Sequence, residues 1–280
     1  MSKIATIEIT PGILKSLQKI QLESLVELDR ICRKHSIKYS IDGGTLLGAV
    51  RHKGFIPWDD DIDVIMKRDE YDRFFHICKT ELNTREFFLQ EPRTDSHYRV
   101  GFSRMKRNNT VYIRAGQEDS LQHNGVQIDV FVLDNMPDNF ILRLVHCFVS
   151  FVFRKILWSR TGKLVSKSFA IRAIYSILDL IPAKFPLWGF ATMAAACNQK
   201  PSKLIRHYGM TYPNPAVNGF GTPSELMDRF TELVFEGQKF MAVAEYDRYL
   251  ALLYGNYMEL PPEEERKPRI QLSKFEGEIG

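Results

Sequence analysis

Two clusters in the first quarter of the chain have residue types and spacing suited to chemistry on phosphates. Trp58-Asp59-Asp60-Asp61-Ile62-Asp63-Val64 places four carboxylates within five consecutive positions. On an extended strand residues two apart share a face, so Asp61 and Asp63 project to one side. Carboxylates held side by side repel, and burying them unpaired is costly. A hard divalent cation with oxygen ligands is the ordinary way to keep such a pair. Magnesium, or manganese in its place, retains water and bridges to substrate phosphates. The pair therefore points to phosphoryl or nucleotidyl transfer. Apolar Ile62, Val64 and Ile65 around it argue against a solvated acidic loop. Gly43-Gly44-Thr45 lies 17 residues ahead, counted from Gly44 to Asp61. Glycines let backbone N–H groups approach a phosphate closely, and Thr45 adds a hydroxyl. A Gly-Gly pair alone is more often a plain turn, and the downstream carboxylates favour the phosphate reading.

Several rival chemistries fail on spacing. Asp59, Asp61, Asp63 and Glu70 fall at positions 1, 3, 5 and 12 of a calcium loop, but position 6, which must be Gly, is Val64. Neither G-x-x-x-x-G-K-[ST] nor G-x-G-x-x-G occurs, which removes the P-loop and Rossmann fingerprints. Cys32/His35 and His76/Cys78 are close in sequence, but zinc would need two such pairs brought together.

The elements that must carry these residues follow from periodicity. Leu14, Leu17, Ile20, Leu25, Leu28 and Ile31 form one apolar stripe, predicting a helix from Pro11 to about His35. Ile37–Ile41 alternates as a short strand, and an apolar run, Leu46–Val50, follows the glycines. Residues 61–66 read as a strand, and Asp69 as the cap of a helix from Glu70 to about Leu82. Arg99–Phe102 and Val111–Ile113 read as strands flanking a basic turn, Arg104–Asn109. Val126–Phe131 is an apolar strand carrying one carboxylate, Asp129. This order predicts an α+β fold with a mixed or antiparallel sheet. Between Phe140 and Cys197 the chain turns apolar with basic residues embedded, yet without 18 uninterrupted apolar residues. Helices packed on the core and amphipathic helices on a membrane surface both suit that stretch. Farther on come short strands around Leu233–Phe235, a helix near Glu245–Tyr254 and a weakly structured tail after Lys267.

The 280 residues are 44% hydrophobic and 26% charged, with a net charge of +4, which excludes collagenous, low-complexity and wholly disordered classes. Lys and Arg are dispersed without an aromatic-interleaved basic run, so no nucleic-acid partner is expected. Four cysteines without a C-x-x-C pair, and an N-terminus without a signal-peptide pattern, predict free thiols and a cytoplasmic protein.

The passage from Ile41 through Gly43-Gly44-Thr45 and Phe55-Ile56-Pro57-Trp58 to Asp63-Val64 resembles the signature of the LicD family of phosphorylcholine transferases and fukutin-type domains. Phe235-Glu236-Gly237 and Leu253–Met258 with Pro261-Pro262 resemble its C-terminal elements, so the likeness covers about residues 15–135 and 230–266. The resemblance implies a nucleotidyltransferase-like mixed sheet flanked by helices. With the change of composition it divides the chain into a catalytic core over 1–139, an apolar, basic helical insertion over 140–200 that matches no family element and would serve an acceptor or membrane surface, and the rest of the domain over 201–280. Asp61 and Asp63 match the family's paired metal carboxylates, and Asp129 is the candidate third, both as ligand and as base for an attacking sugar hydroxyl. Arg51, Arg104, Lys106 and Arg107 are candidates for the donor diphosphate. Trp58 would stack on a base or pack beneath the loop. The implied reaction is Mg²⁺- or Mn²⁺-dependent transfer of a phospho-alcohol, phosphocholine first, from a CDP-alcohol such as CDP-choline to a sugar hydroxyl of a cell-surface glycan. A lipid-linked acceptor would place the enzyme at the inner face of the cytoplasmic membrane. A nucleotidyltransferase that leaves NMP on its acceptor, and a non-catalytic glycan-assembly module, are the alternatives.

Overall fold

The computed structural model describes residues 6–209 and 220–277, so 210–219 of the C-terminal part lie outside the described residues. The chain runs α1 (Pro11–Lys34), β1 (Ser40–Ile41), α2 (Gly43–Arg51), β2 (Asp63–Lys67), α3 (Arg68–Glu81), β3 (Phe87–Gln90), β4 (Ser103–Arg107), β5 (Val111–Arg114) and β6 (Gln127–Asn135). Then follow α4 (Phe140–Val165), α5 (Phe169–Leu178), α6 (Lys184–Cys197), β7 (Leu204–Arg206), β8 (Thr222–Pro223), β9 (Phe230–Phe235), β10 (Gln238–Val243), α7 (Tyr246–Tyr254) and β11 (Leu272–Glu276).

The main sheet has the order β1-β2-β6-β4-β3, with β7 beside the end of β6 and β8 beside β7. Among the described residues only β2 and β6 pair in parallel; the other ladders of this sheet are antiparallel. The fold is thus α+β with a mixed sheet. β6 is central and buried from Gln127 to Asp134, which explains its nearly unbroken apolar run. α1 starts where expected: Thr10 accepts from the Ile13 N–H at 3.3 Å, and Pro11 occupies the first turn. Its buried stripe, Leu14 to Ile31, meets the sheet and α3. On the β1 side the β9–β10 hairpin and α7 pack around α2.

The apolar run after the glycines, given no element from the sequence, is helical, because Gly43 opens α2. Four expectations need correction. Arg104–Arg107 belongs to β4, and the turn itself is Asn108-Asn109, with Asn109 at φ 59°. Basic residues suggest solvent, but the pairing of β4 with β6 gives these side chains acidic and amide partners inside the sheet. Arg99–Phe102 is irregular. The tail is not loose: Leu272–Glu276 pairs antiparallel with β5, and Leu272 joins Leu17, Ile20, Tyr112 and Val126 in a small second core. In addition α3 begins at Arg68, so Asp69 lies within its first turn rather than capping it.

His207 is buried between the rings of Phe131 and Phe102, at 4.9 and 5.7 Å. Burial first, then Arg68, Arg206 and Arg154, pushes its pKa down to about 3. The unfolded chain takes up this proton below about pH 6.5 while the folded one refuses it, so stability falls as the pH drops from there towards 3. His207→Phe is expected to remove up to about 1.4 kcal/mol per pH unit of that loss. Urea midpoints of the two proteins compared from pH 7 to 4 read the effect, and parallel curves would refute it.

Candidate active site

β2 and β6 set the site. Their parallel register puts Asp63 opposite Asp129, and the next ladder puts Arg104 opposite Asp129. Arg104 Nε donates to Asp129 Oδ1 at 2.9 Å, and Gln127 Nε2 donates to the same oxygen at 3.1 Å. Asp61 lies just before β2, in a loop that α1 holds: Gln18 and Gln21 amides donate to the carbonyls of Asp59 and Asp60, each at 2.9 Å. Asp60 serves as a tie. Its Oδ2 accepts the backbone N–H groups of Arg269 and Ile270 at 2.6 and 2.9 Å.

The glycines are there for the carboxylates. Gly43 has φ 54°, and a Cβ on it would lie 3.2 Å from Asp63 Oδ2; one on Gly44 would lie 2.5 Å from Asp59 Oδ2. The N-terminus of α2 therefore abuts both carboxylates, and its partial positive charge favours them there. Thr45 does not offer its hydroxyl outward as expected. Its Oγ1 accepts the Asp63 backbone N–H at 2.9 Å and fixes the start of β2. Asp42, before α2, accepts from Tyr249 Oη of α7 at 2.6 Å.

Crowding shows in the acidities. Burial, then Asp61 and Asp60, pushes Asp59 up to about 8. Burial, then Asp60 and Asp129, pushes Asp61 up to about 6. Burial and the charges of Asp61, Asp129, Asp42 and Asp59 hold Asp63 well above the ordinary carboxylate range. Asp61 and Asp63 remain half-buried, so the cleft is open to solvent. Asp59 Oδ2 is buried with no hydrogen-bond partner.

Arg114, which sequence reasoning missed, is the cluster's second cation. Burial opposes its charge, but Tyr112, Asp129 and Asp61 outweigh this and hold the guanidinium above its ordinary value. Its Nε is buried without a hydrogen-bond partner. The pairing of β5 with β11 places it, opposite Leu272. No local motif marks it, because the partner strand comes from a segment 158 positions later, from Arg114 to Leu272.

The other candidates lie elsewhere or are already engaged. Lys106 is buried, bonded to the Gly125 carbonyl at 3.2 Å and to Gln127, and burial lowers its pKa. It supports Gln127 rather than facing a donor. Arg51 ends α2, about 12 Å along the helix from Gly43, and donates to the carbonyls of Tyr257 and Glu259. Arg107 pairs with Glu23 at 3.0 Å. Trp58 packs against the core with Arg266 6.0 Å above its ring, which matches the packing reading rather than a free stacking platform. Phe235-Glu236-Gly237 turns the β9–β10 hairpin, and Glu236 accepts the Phe55 N–H at 3.0 Å, steadying the loop between α2 and β2.

Among the described residues no three His, Cys, Asp or Glu side chains form a ready-made metal set. The charge of Asp129 bears on Asp61, and those of Asp61 and Asp129 bear on Asp63. Hard oxygen donors in mutual repulsion, with one orphaned buried oxygen beside them, suit a hard divalent cation.

A family model described as LicD/FKTN/FKRP, nucleotidyltransferase domain, matches residues 36–147, which contain all of these carboxylates. The chain is 30% identical over 273 residues to the lipopolysaccharide cholinephosphotransferase LicD of Haemophilus influenzae, covering 91% of this chain and 95% of that one. The chain belongs to the LicD family. It is a LicD-type phosphotransferase. Shorter matches join it to two uncharacterized Rickettsia proteins. One from Rickettsia prowazekii is 40% identical over 84 residues, 23% of this chain and 31% of that one. One from Rickettsia typhi is 51% identical over 57 residues, 20% and 18%.

Because Asp61 is more acidic unfolded (about 3.9) than folded, the folded state binds the extra proton between about pH 4 and 6. Stability contributed by this group is lost as pH rises through that window and stays low above it. Asp61→Asn is therefore expected to stabilise the metal-free protein at pH 8 by roughly 1–3 kcal/mol, and not at all below pH 4. Denaturant titration at the two pH values measures it; a destabilised variant at pH 8 would contradict the repulsion. Gly44→Ala, which drives a methyl into Asp59, is expected to cut turnover at least tenfold while far-ultraviolet circular dichroism stays unchanged.

Proposed function

We propose that this LicD-family enzyme transfers phosphocholine from CDP-choline to a sugar hydroxyl of lipopolysaccharide. The observation that carries the reading is the carboxylate cluster of Asp61, Asp63 and Asp129 on and beside adjacent parallel strands, with Arg104 and Arg114 against it. The relative from Haemophilus influenzae, matched over nearly its full length, supports choline phosphate as cargo and lipopolysaccharide as acceptor.

Asp61 and Asp63 would hold Mg²⁺ or Mn²⁺ with Asp129 completing the set, and the bound ion would neutralise charge on the donor phosphates. Arg114 is the side chain with a donor to spare, because its Nε is unpartnered beside the charges of Asp61 and Asp129. A donor diphosphate entering the cleft would take up that donor, since a guanidinium pairs with phosphate oxygens in a fixed fork. Arg104 keeps Asp129 oriented through Oδ1. Both side-chain hydrogen bonds of Asp129 fall on that oxygen, which leaves Oδ2 for the acceptor hydroxyl's proton. The α2 N-terminus, closed off by Asp59 and Asp63, acts by holding those carboxylates.

Purified protein with Mg²⁺, CDP-choline and lipopolysaccharide is expected to release CMP, read by mass spectrometry. Pyrophosphate released from an NTP would instead mark a nucleotidyltransferase. Asp61→Ala and Asp63→Ala are each expected to lower transfer at least a thousandfold, an effect of about 4 kcal/mol on the barrier. Transfer retained in either would remove the metal assignment. Arg114→Met is expected to raise the KM for the donor and lower kcat at unchanged acceptor KM; a change confined to melting temperature would make it structural only.

A further inference from the structure

The helices α4, α5 and α6 hold a surface that the transfer chemistry does not use. Of 22 large apolar side chains exposed among the described residues, 17 lie between Phe140 and Trp188. Phe140, Phe148, Phe169, Ile177, Leu180 and Trp188 each expose between 59% and 81% of their area. A soluble surface scatters such residues singly, and a continuous run of them marks an interaction face. The helices are nevertheless well anchored. Their inner sides build a core of Leu157, Phe190 and Ala194 with Met136 and Tyr208, and Phe190 lies against Gly101 just before β4.

Charge says what covers the outer side. Residues 140–200 carry nine Lys or Arg and one acid, Asp179, a net +8 in a chain whose total is +4, so the remainder is acidic at −4. Asp179 is consumed by Lys163 at 2.5 Å and Arg99 at 3.3 Å, with Arg160 farther off at 3.9 Å. Arg160, Lys167 and Lys184 stay exposed among the apolar side chains. A second copy of this chain would bring two such positive faces together, which repulsion opposes. An anionic bilayer satisfies both properties at once: apolar side chains enter the acyl boundary and the cations meet lipid phosphates. No helix among the described residues is long and apolar enough to cross a membrane.

We infer that α4–α6 form a docking face that lays the protein on an anionic phospholipid surface. Arg99 joins this bundle to the core, donating to the Ile156 carbonyl at 3.4 Å, and the segment from Arg99 runs directly into β4 and Arg104. The docked face and the carboxylate cleft are thus connected through one short piece of chain, and an acceptor embedded in the membrane would be presented beside it.

The test uses the full chain without any substrate, so its outcome is separate from that of the donor chemistry. Co-sedimentation is measured with phosphatidylcholine vesicles with and without phosphatidylglycerol, alongside the emission of Trp158 and Trp188. Binding to the anionic vesicles at low salt, with a blue shift, is expected, and little to phosphatidylcholine alone. Combined Phe169→Ser, Ile177→Ser, Leu180→Ser and Trp188→Ser is expected to weaken it more than tenfold. Arg160→Gln, Lys167→Gln and Lys184→Gln are expected to weaken it about fivefold each. Unchanged melting and CMP release with a soluble acceptor would show that the variants are folded. Failure of the native protein to sediment with anionic vesicles would overturn the inference. So would equal binding by the serine variant, or a lipid-free dimer that the serine variant abolishes.

Discussion

Like charges confined to one cleft are the constraint around which the rest of the molecule is built. The parallel pairing of β2 with β6 places Asp63 directly opposite Asp129, and the loop before β2 adds Asp59 and Asp61. Nothing in the hydrophobic core favours such an arrangement. The surrounding elements contribute partial compensation: the α2 N-terminus beside Asp59 and Asp63, Arg104 on the neighbouring strand, and Arg114 from the β5–β11 ribbon. The compensation is incomplete, as the raised pKa values of Asp59, Asp61 and Asp63 show. A fold optimised only for stability would have replaced these groups, so the residual repulsion is the part of the structure that chemistry explains and packing does not.

Much of this was legible in the sequence where local rules governed. The apolar stripe of α1, the buried run of β6 and the Asp61/Asp63 spacing all follow from periodicity. The family resemblance rested on contiguous residues. Reading stopped where a partner strand supplied the environment. Arg104 and Lys106 look like a solvated basic turn until β6 is set beside them. The tail after Lys267 has little local preference, and it becomes a strand because Tyr112 and Leu272 share a core with α1. Arg114 was invisible for the same reason. The glycines were noticed for a plausible but incomplete cause, since their small size serves the carboxylates packed on them.

The helical segment shows a different balance. Its inner residues obey the ordinary rules for packing helices on a sheet, while its outer residues disobey the rule for a surface in water. Both behaviours come from one apolar composition, so hydropathy could not separate them. Only the placement of α4–α6 over Met136 and Tyr208 tells which side chains are covered.

The tie from Asp60 to the backbone of Arg269 and Ile270, and the seating of Arg114 by β11, have a consequence for biosynthesis. The carboxylates are made early in translation, but the backbone amides and strand that steady them come from residues 269–276. A ribosome-bound polypeptide that already contains Asp129 therefore carries its repulsive cluster without those restraints until Glu276 has left the ribosome. Such long-range closure is slow by nature, and it makes the order of synthesis itself a determinant of how many finished molecules acquire a competent site.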